Sequence, residues 1–405
     1  MMQKGTDISD LKRIYRQRNE GEFPSSLHLT LHKEHDLKYG ENPHQQAALY
    51  TLHTIAQHPA HHLAALTNLQ SVRSDGKGKG GLSLTNLMDI ARGMDCLKYF
   101  SVPAAVIMKH NVVSGFARQT APSQALCEIY RLARDADRRS NFGGTVIFNR
   151  PLDTDTTEAL LELYPRHIID VIAAPDYQDG LLARIEHASP HIRLGQFSHL
   201  EQLPRFLGDP THGLYSFKEL PTGRLAIQDL PLTGIRSAED LILDPMVFDK
   251  DGTPHTIERS PTPQEIQDLL SAWYINVAGA RSNGVVIIRD GVLVACGSGQ
   301  VERVGAVEQA IVKGMQKAFD REGLVYDPLF GISGFERLKD NPFQGAACSS
   351  DAFFPFPDAV ETLGRVGVTA IIQPYGSVRD DQVIDAANRL QIAMPATLER
   401  CFGHF

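Results

Sequence analysis

The chain has 405 residues, 42% hydrophobic and 22% charged, with a formal net charge of -8 at pH 7. That length exceeds what one hydrophobic core usually serves and predicts at least two domains. The acidic balance argues against general nucleic-acid affinity, while a local basic pocket for a phosphate stays open. No apolar run approaches bilayer-spanning length, and residues 1–7 lack the apolar core of a signal peptide. The cysteines at 96, 127, 296, 348 and 401 form no CxxC pair. They read as reduced thiols, so a cytoplasmic protein is expected.

In chain order, residues 8–18 read as a short basic helix with Leu11, Ile14 and Tyr15 on one face, a packed N-terminal arm. A polar break follows at 21–26, and residues 27–31 alternate as a half-exposed strand does. Residues 37–45 form a turn by chemistry, since a glycine is followed by Asn42-Pro43, which disfavours helix at Asn42. The histidines at 53, 58, 61 and 62 carry no HExxH pattern and no cysteine partner, and read as surface residues rather than metal ligands. Residues 74–81 are a glycine-rich loop without the G-K-S/T of a triphosphate-binding loop. Residues 82–89 open a helix with Leu84, Leu87, Met88 and Ala91 toward the core.

Residues 104–108 are a continuous apolar run, short enough for a strand buried on both faces. It ends in Lys109-His110. Ligands of open α/β sheets collect where strands end, which makes this pair a candidate reaction centre. The lysine charge would disfavour a second charge on the imidazole and keep it able to accept a proton. The alternative is a strand end that merely turns polar at the solvent.

Residues 123–136 read as a helix burying Ala125, Leu126, Ile129, Leu132 and Ala133. A glycine turn at 141–144 feeds a strand, 156–164 is a helix, and 168–174 is a buried strand carrying Asp170. A carboxylate there is costly unless paired, and protein amides are one way to pair it. Residues 193–231 alternate weakly, and the domain boundary is expected inside or just after them. Residues 261–280 contain a helix with Ile266, Leu269, Leu270, Trp273 and Val277 inward. Arg289-Asp290-Gly291 turns a hairpin, and a long helix runs from Arg303 to about Glu322. Residues 349–358 interleave three aromatics with two prolines, which suits either a packed core loop or an apolar slot for a flat heterocycle, closed by one carboxylate. A strand at 369–373, a turn at 374–377 and a helix from Val378 follow.

Lys38-Tyr39-Gly40-Glu41-Asn42-Pro43-His44-Gln45 with the downstream Lys109-His110 resembles the R/K-Y-G-x-N-P-H-Q turn and K-H strand end of the AICAR transformylase/IMP cyclohydrolase family, in its transformylase part. Leu82 to Asp89, Phe142-Gly143-Gly144, Ser282-Asn283, Gly297 to Arg303 and Ser349 to Asp358 resemble further motifs of that family, and 398–405 resembles its final strand with a single arginine. The resemblance runs from about Leu37 to the C-terminus. It implies an α/β fold of two tandem cytidine-deaminase-like α/β/α subdomains without zinc, in keeping with the missing P-C-x-x-C. The expected division is 1–235, an N-terminal subdomain with its arm, and 236–405, a C-terminal subdomain with the folate pocket.

The resemblance also implies a homodimer with shared active sites and small-molecule substrates, with no nucleic acid or membrane partner. The acceptor is AICAR and the cosubstrate 10-formyltetrahydrofolate, with no metal required. Catalysis falls to Lys109, His110 and Asn283. Lys38, Tyr39 and Arg400 hold the 5′-phosphate, Arg303 assists, Gly143 and Asp170 frame the ribose, and Phe353 stacks near the imidazole. Pro355, Phe356, Asp358 and Ser377 bind the pterin. The family's cyclohydrolase domain has no room ahead of Lys38, so a transformylase alone is expected, with a separate IMP cyclohydrolase as a further partner. Four positions depart from the family pattern: Lys38 for arginine, and Val113, Tyr274 and Tyr375. The rival functions are formyl transfer to a related amino-imidazole ribonucleotide, and a non-catalytic paralogue that binds nucleotide and folate.

Overall fold

The computed structural model describes residues 5–17, 23, 25–52, 70–71, 81–211 and 213–404. The histidine-rich stretch at 53–62, most of the 74–81 loop and much of the polar break at 21–26 lie outside the described residues. The protein is α/β and divides into two units, Gly21–Leu232 and Met1–Glu20 with Thr233–Phe405. The N-terminal arm is thus a correction, because it was expected to belong with the first subdomain. Strand β1 (Thr6–Asp7) pairs in parallel with Pro245 and Met246, and the Ile8 side chain is fully buried in the second unit's core. The expected helix at 8–18 is reduced to turns and one 3-10 segment, Ile14–Arg16, whose N-cap makes no side-chain hydrogen bond. Leu11 and Ile14 face solvent. The segment is held instead by tertiary contacts described below.

In the first unit, β2 (Leu31–Asp36) pairs antiparallel with β3 (Ala48–Leu52). The strand expected at 27–31 is displaced: the observed one begins at Leu31, which pairs with Leu52. After β4 (Gln70–Ser71) comes α1 (Leu84–Leu97), opened by a capping box of Ser83 and Asn86. Its buried apolar face is Leu87, Ile90, Met94 and Leu97; Leu84, Met88 and Ala91 are only partly covered. Then follow β5 (Ala104–Lys109), β6 (Val112–Arg118), α2 (Leu126–Ala136), β7 (Gly144–Phe148), α3 (Thr154–Leu161), β8 (Ile169–Ala174), α4 (Leu181–Ala188) and β9 (Arg193–Gln196). Helix α2 buries Ile129, Tyr130 and Ala133, whereas Ala125 and Leu132, expected inside, are exposed. Within the unit the sheet order is β6-β5-β7-β8-β9-β4. Strand β5 runs antiparallel to β6 and β7, and β7, β8 and β9 are mutually parallel. A separate hairpin joins β10 (Ser216–Leu220) to β11 (Arg224–Gln228).

The second unit repeats this plan. After β12 (Pro245–Phe248) and β13 (Pro254–Thr256) come α5 (Pro263–Gly279), β14 (Val285–Arg289), β15 (Val292–Gly297), α6 (Arg303–Arg321), β16 (Ala347–Ser350), α7 (Asp358–Val366), β17 (Ala370–Ile372) and α8 (Asp380–Arg389). The order β15-β14-β16-β17 has the same strand senses as β6-β5-β7-β8. Even the irregularity in each hairpin falls at the matching place, between Ile107 and Met108 in one and Ile287 and Ile288 in the other. The last strand expected at 398–405 is absent from residues 398–404. That segment is tied down singly, with Ser282 N donating to Gly403 O (3.0 Å) and Cys401 N to Asp351 O (3.0 Å).

Candidate functional site

In the first unit, the start of α1 gathers most of the expected residues. Lys38 N donates to Leu82 O (3.4 Å) and Leu84 N to Tyr39 O (3.2 Å), which staples the 37–45 turn to the helix entry. The turn itself is closed by Gly40 N to Gln45 O (2.8 Å) and Asn42 N to the Gln45 Oε1 (2.7 Å). Lys38 is exposed, its ammonium 5.4 Å from the Tyr39 ring centroid.

Two turns of α1 reach two other segments. Asn86 donates to Asp170 Oδ2 (3.3 Å), which also accepts from Arg193 Nη1 at 2.8 Å. Arg193 is 6% exposed and Asp170 22%. Oδ2 of this carboxylate thus has two protein partners. Asp89 accepts from Asn111 N (2.7 Å) and from the Thr145 hydroxyl (3.3 Å). Burial pushes the Asp89 carboxyl up; the Asn111 amide, the Thr145 hydroxyl and His110 oppose that, and the like charge of Asp170 adds to it.

Lys109 and His110 stand where β5 turns into β6. Both turn residues, His110 (φ 55°) and Asn111 (φ 62°), are left-handed, as a two-residue hairpin turn requires. The sequence showed a strand end but not this hairpin, because His-Asn lacks the usual glycine. His110 is exposed, and the Lys109 ammonium donates to Phe142 O (2.5 Å). Gly143 follows with φ 71°, and a Cβ there would meet nothing within 4 Å. Glycine is demanded by the backbone conformation, and the space before it is open.

The second unit holds a cavity of about 390 Å³ lined by Tyr15, Arg16, Asn283, Arg303, Ala352, Phe353, Pro355, Arg400 and Phe402. Five of these walls are expected site residues: Asn283, Arg303, Phe353, Pro355 and Arg400. Arg303, the first residue of α6, ion-pairs with the fully buried Asp351 and donates to the Ser350 hydroxyl (3.2 Å). Ser282 donates to the other Asp351 oxygen (2.6 Å). Asn283 directs its backbone N–H (3.2 Å) and side-chain amide (2.9 Å) at Gln300 O. The Arg400 guanidinium lies 4.5 Å from the Phe402 ring centroid.

Tyr15 and Arg16 are the residues the sequence did not reveal. Tyr15 donates to Tyr375 O (2.7 Å) and Arg16 to Gly376 O (3.0 Å). Lys12 pairs with Asp380 (3.5 Å). A Cβ on Gly376 (φ 108°) would lie 2.5 Å from Lys12 O, so the arm sits directly on the glycine. Asp351 balances the charge of Arg303, which leaves Arg16 and Arg400 on the wall to favour an anion, and Phe353 offers it a flat apolar face.

The structure does not bring the rest of the expected pterin set to this cavity. Phe356 is 45% exposed beneath Arg379, whose guanidinium is 4.6 Å from the ring centroid. Asp358 is exposed at the start of α7 and accepts from Ala359 N (2.8 Å). The Ser377 hydroxyl is buried, accepting from Arg379 N (3.1 Å) and donating to Pro355 O (3.4 Å). Of the four, only Pro355 is a wall.

Three of the four departures from the family pattern turn inward, while Lys38 is exposed. Val113, Tyr274 and Tyr375 are all buried, with the tyrosine hydroxyls on Arg236 O (2.9 Å) and Met394 O (2.7 Å). All five cysteines are free, and burial pushes the Cys296 thiol up to about 11 and that of Cys401, beside Arg400, well above its ordinary value, which disfavours a thiolate. Among the described residues no group of three or more His, Cys, Asp or Glu could hold a metal ion, and no helix is long and apolar enough to cross a membrane.

The family model described as AICARFT/IMPCHase bienzyme matches residues 8–313. The chain belongs to this family. It is 32% identical over 388 residues to the bifunctional purine biosynthesis protein PurH of Rhodopirellula baltica, covering 95% of this chain and 62% of that protein. The chain thus spans less than two thirds of its relative's length. The family match covers the first unit's Lys38 turn and His110 hairpin, and the second unit's Asn283 and Arg303.

Proposed function

We propose that the chain transfers a formyl group from 10-formyltetrahydrofolate to the 5-amino group of AICAR, giving FAICAR in de novo purine biosynthesis. The observation that carries this reading is the cavity walled by Asn283, Arg303, Phe353 and Arg400 in a chain of this family. Three guanidiniums and an aromatic face suit a flat, anionic ribonucleotide. Lys38, Tyr39 and Arg400 hold its phosphate, Gly143 and Asp170 frame the ribose, and Arg303 assists. Pro355, Phe356, Asp358 and Ser377 serve the pterin.

The acceptor amine is conjugated and weakly nucleophilic. As its nitrogen bonds to the formyl carbon, that nitrogen gains positive charge and the formyl oxygen negative charge. His110, exposed on its turn, takes the proton from the nitrogen. Asn283 keeps one side-chain N–H beyond its bond to Gln300 O and turns it to the formyl oxygen. The oxyanion then collapses, the bond from the formyl carbon to the folate N10 breaks, and N10 leaves as tetrahydrofolate with the proton that His110 took. Lys109 supplies positive charge beside these steps. No metal enters the sequence of steps. The enzyme works as a cytoplasmic homodimer with shared active sites, and FAICAR passes on to an IMP cyclohydrolase activity. A non-catalytic paralogue would be favoured by altered residues in the site, and Val113, Tyr274 and Tyr375 are instead buried.

The test is spectrophotometric release of tetrahydrofolate with AICAR and 10-formyltetrahydrofolate, alongside sedimentation of the active species. Release that depends on both substrates is expected. Binding of AICAR with no release would overturn the catalytic reading, and a fully active monomer would overturn the shared sites.

A further inference from the structure

We infer that Asp89 is a positioning residue for His110, bracing the His110–Asn111 turn from α1 and tying it to the strand that follows Gly143. This rests on the proposed role of His110 as proton acceptor.

The argument comes from comparing the two units. Helix α1 is capped by Ser83 and helix α5 by Thr262, and each carries an aspartate at the same distance from its cap, Asp89 and Asp268. Each aspartate reaches the turn of the hairpin that follows its helix. In the second unit Asp268 uses one oxygen for Asp290 N (2.8 Å) and the other for Gly291 N (2.9 Å). Both oxygens thus serve the turn, with Oδ2 also accepting from Gln264 Nε2 on the same helix (3.2 Å). In the first unit Asp89 gives only Oδ1 to the turn, at Asn111 N, and turns Oδ2 to the Thr145 hydroxyl.

The strand positions explain the difference. Thr145 sits opposite Met108 on β7, and the matching position opposite Ile288 is Ala347, which has no hydroxyl. The brace is thus shared by both units, but only the first extends it to the glycine segment of the site. His110 also needs holding, since left-handed backbone is unfavourable for a residue with a Cβ. On the other side Lys109 is anchored to Phe142 O, one residue before Gly143. The turn that presents the imidazole is therefore held on one side by Asp89, itself tied to Thr145, and on the other through Lys109 by the segment that contains Gly143.

The test compares Asp89→Asn with Asp268→Asn, both nearly isosteric, by amide hydrogen exchange and by steady-state kinetics. Replacing a charged acceptor by a neutral one should speed exchange at Asn111 about tenfold or more. In the same variant kcat should fall about tenfold while KM stays within about twofold. Asp268→Asn should loosen the 290–291 turn and leave kcat unchanged. Should Asp89→Asn fail to fold, Thr145→Val frees Oδ2 alone and should lower kcat in the same sense. Unchanged exchange at Asn111, an unchanged kcat, or an equal loss in Asp268→Asn would each overturn the inference. A wild type that releases no tetrahydrofolate counts against the formyl-transfer reading instead, and the exchange data still decide whether Asp89 holds the turn.

Discussion

Arg16 lies over the ring of Phe353, its guanidinium carbon 5.0 Å from the centroid, while one nitrogen donates to Gly376 O at 3.0 Å. A residue from the N-terminal segment thereby becomes a wall of the cavity whose other cations are Arg303 and Arg400. Arg16→Ala should weaken AICAR binding about tenfold or more, the usual scale for a hydrogen bond to a charged group. Arg16→Lys should recover only part of the loss, because an ammonium cannot stack as a planar guanidinium does. Calorimetric titration reads both, and an affinity unchanged by Arg16→Ala would remove the arm from the site.

His110→Ala should leave AICAR affinity nearly intact and lower kcat by about 10²–10⁴-fold, the usual contribution of a positioned base. Single-turnover kinetics separate the two effects. Retention of most of kcat, or a loss confined to binding, would make the histidine a nucleotide contact at a hairpin turn.

The ion pair of Arg303 and Asp351 is almost wholly buried, with side chains 8% and 1% exposed. Removing one partner of such a pair strands the other charge away from water. Asp351→Ala should therefore cost about 3–5 kcal/mol in a denaturant titration. It should also weaken anion binding, since Arg303 loses its orientation on the wall. A change below about 1 kcal/mol, the scale of an exposed pair, would show that water reaches Asp351 in solution.

His255 sits between two carboxylates in the second unit, 2.8 Å from Asp385 and 3.4 Å from Asp249. Its value is raised, first by the hydrogen bond to Asp385, against a desolvation that lowers it. A raised folded value means that the folded state holds the proton more tightly than the unfolded chain. The resulting stability is present in full below the ordinary imidazole value of about 6.5 and is lost as pH rises through the raised value. Thermal unfolding across that window should show a fall in Tm that His255→Gln abolishes. An identical pH profile in the variant would assign the fall to another group.

The sequence by itself determined what rests on local chemistry. The apolar run at 104–108, the Asp290-Gly291 turn and the long helix after Arg303 are fixed by period, turn residues and caps, and they occur where expected. The motif residues Asn283, Arg303, Phe353 and Arg400 were legible because their neighbours are distinctive, and they share one cavity. Only the tertiary structure decided what depends on distant partners. Arg193 satisfies Asp170 from another strand, and no local pattern announces that pairing. The hairpin at His110 is stabilised by Asp89, 21 residues earlier in the chain, rather than by a glycine in the turn. The N-terminal segment looked like a helix by spacing, yet Ile8 found its burial in the core of the second unit and Tyr15 its acceptor at Tyr375. Burial and hydrogen bonding across hundreds of residues outweighed a weak local preference, since helix propensity contributes only tenths of a kcal/mol per residue, roughly, against about 1 for each such contact.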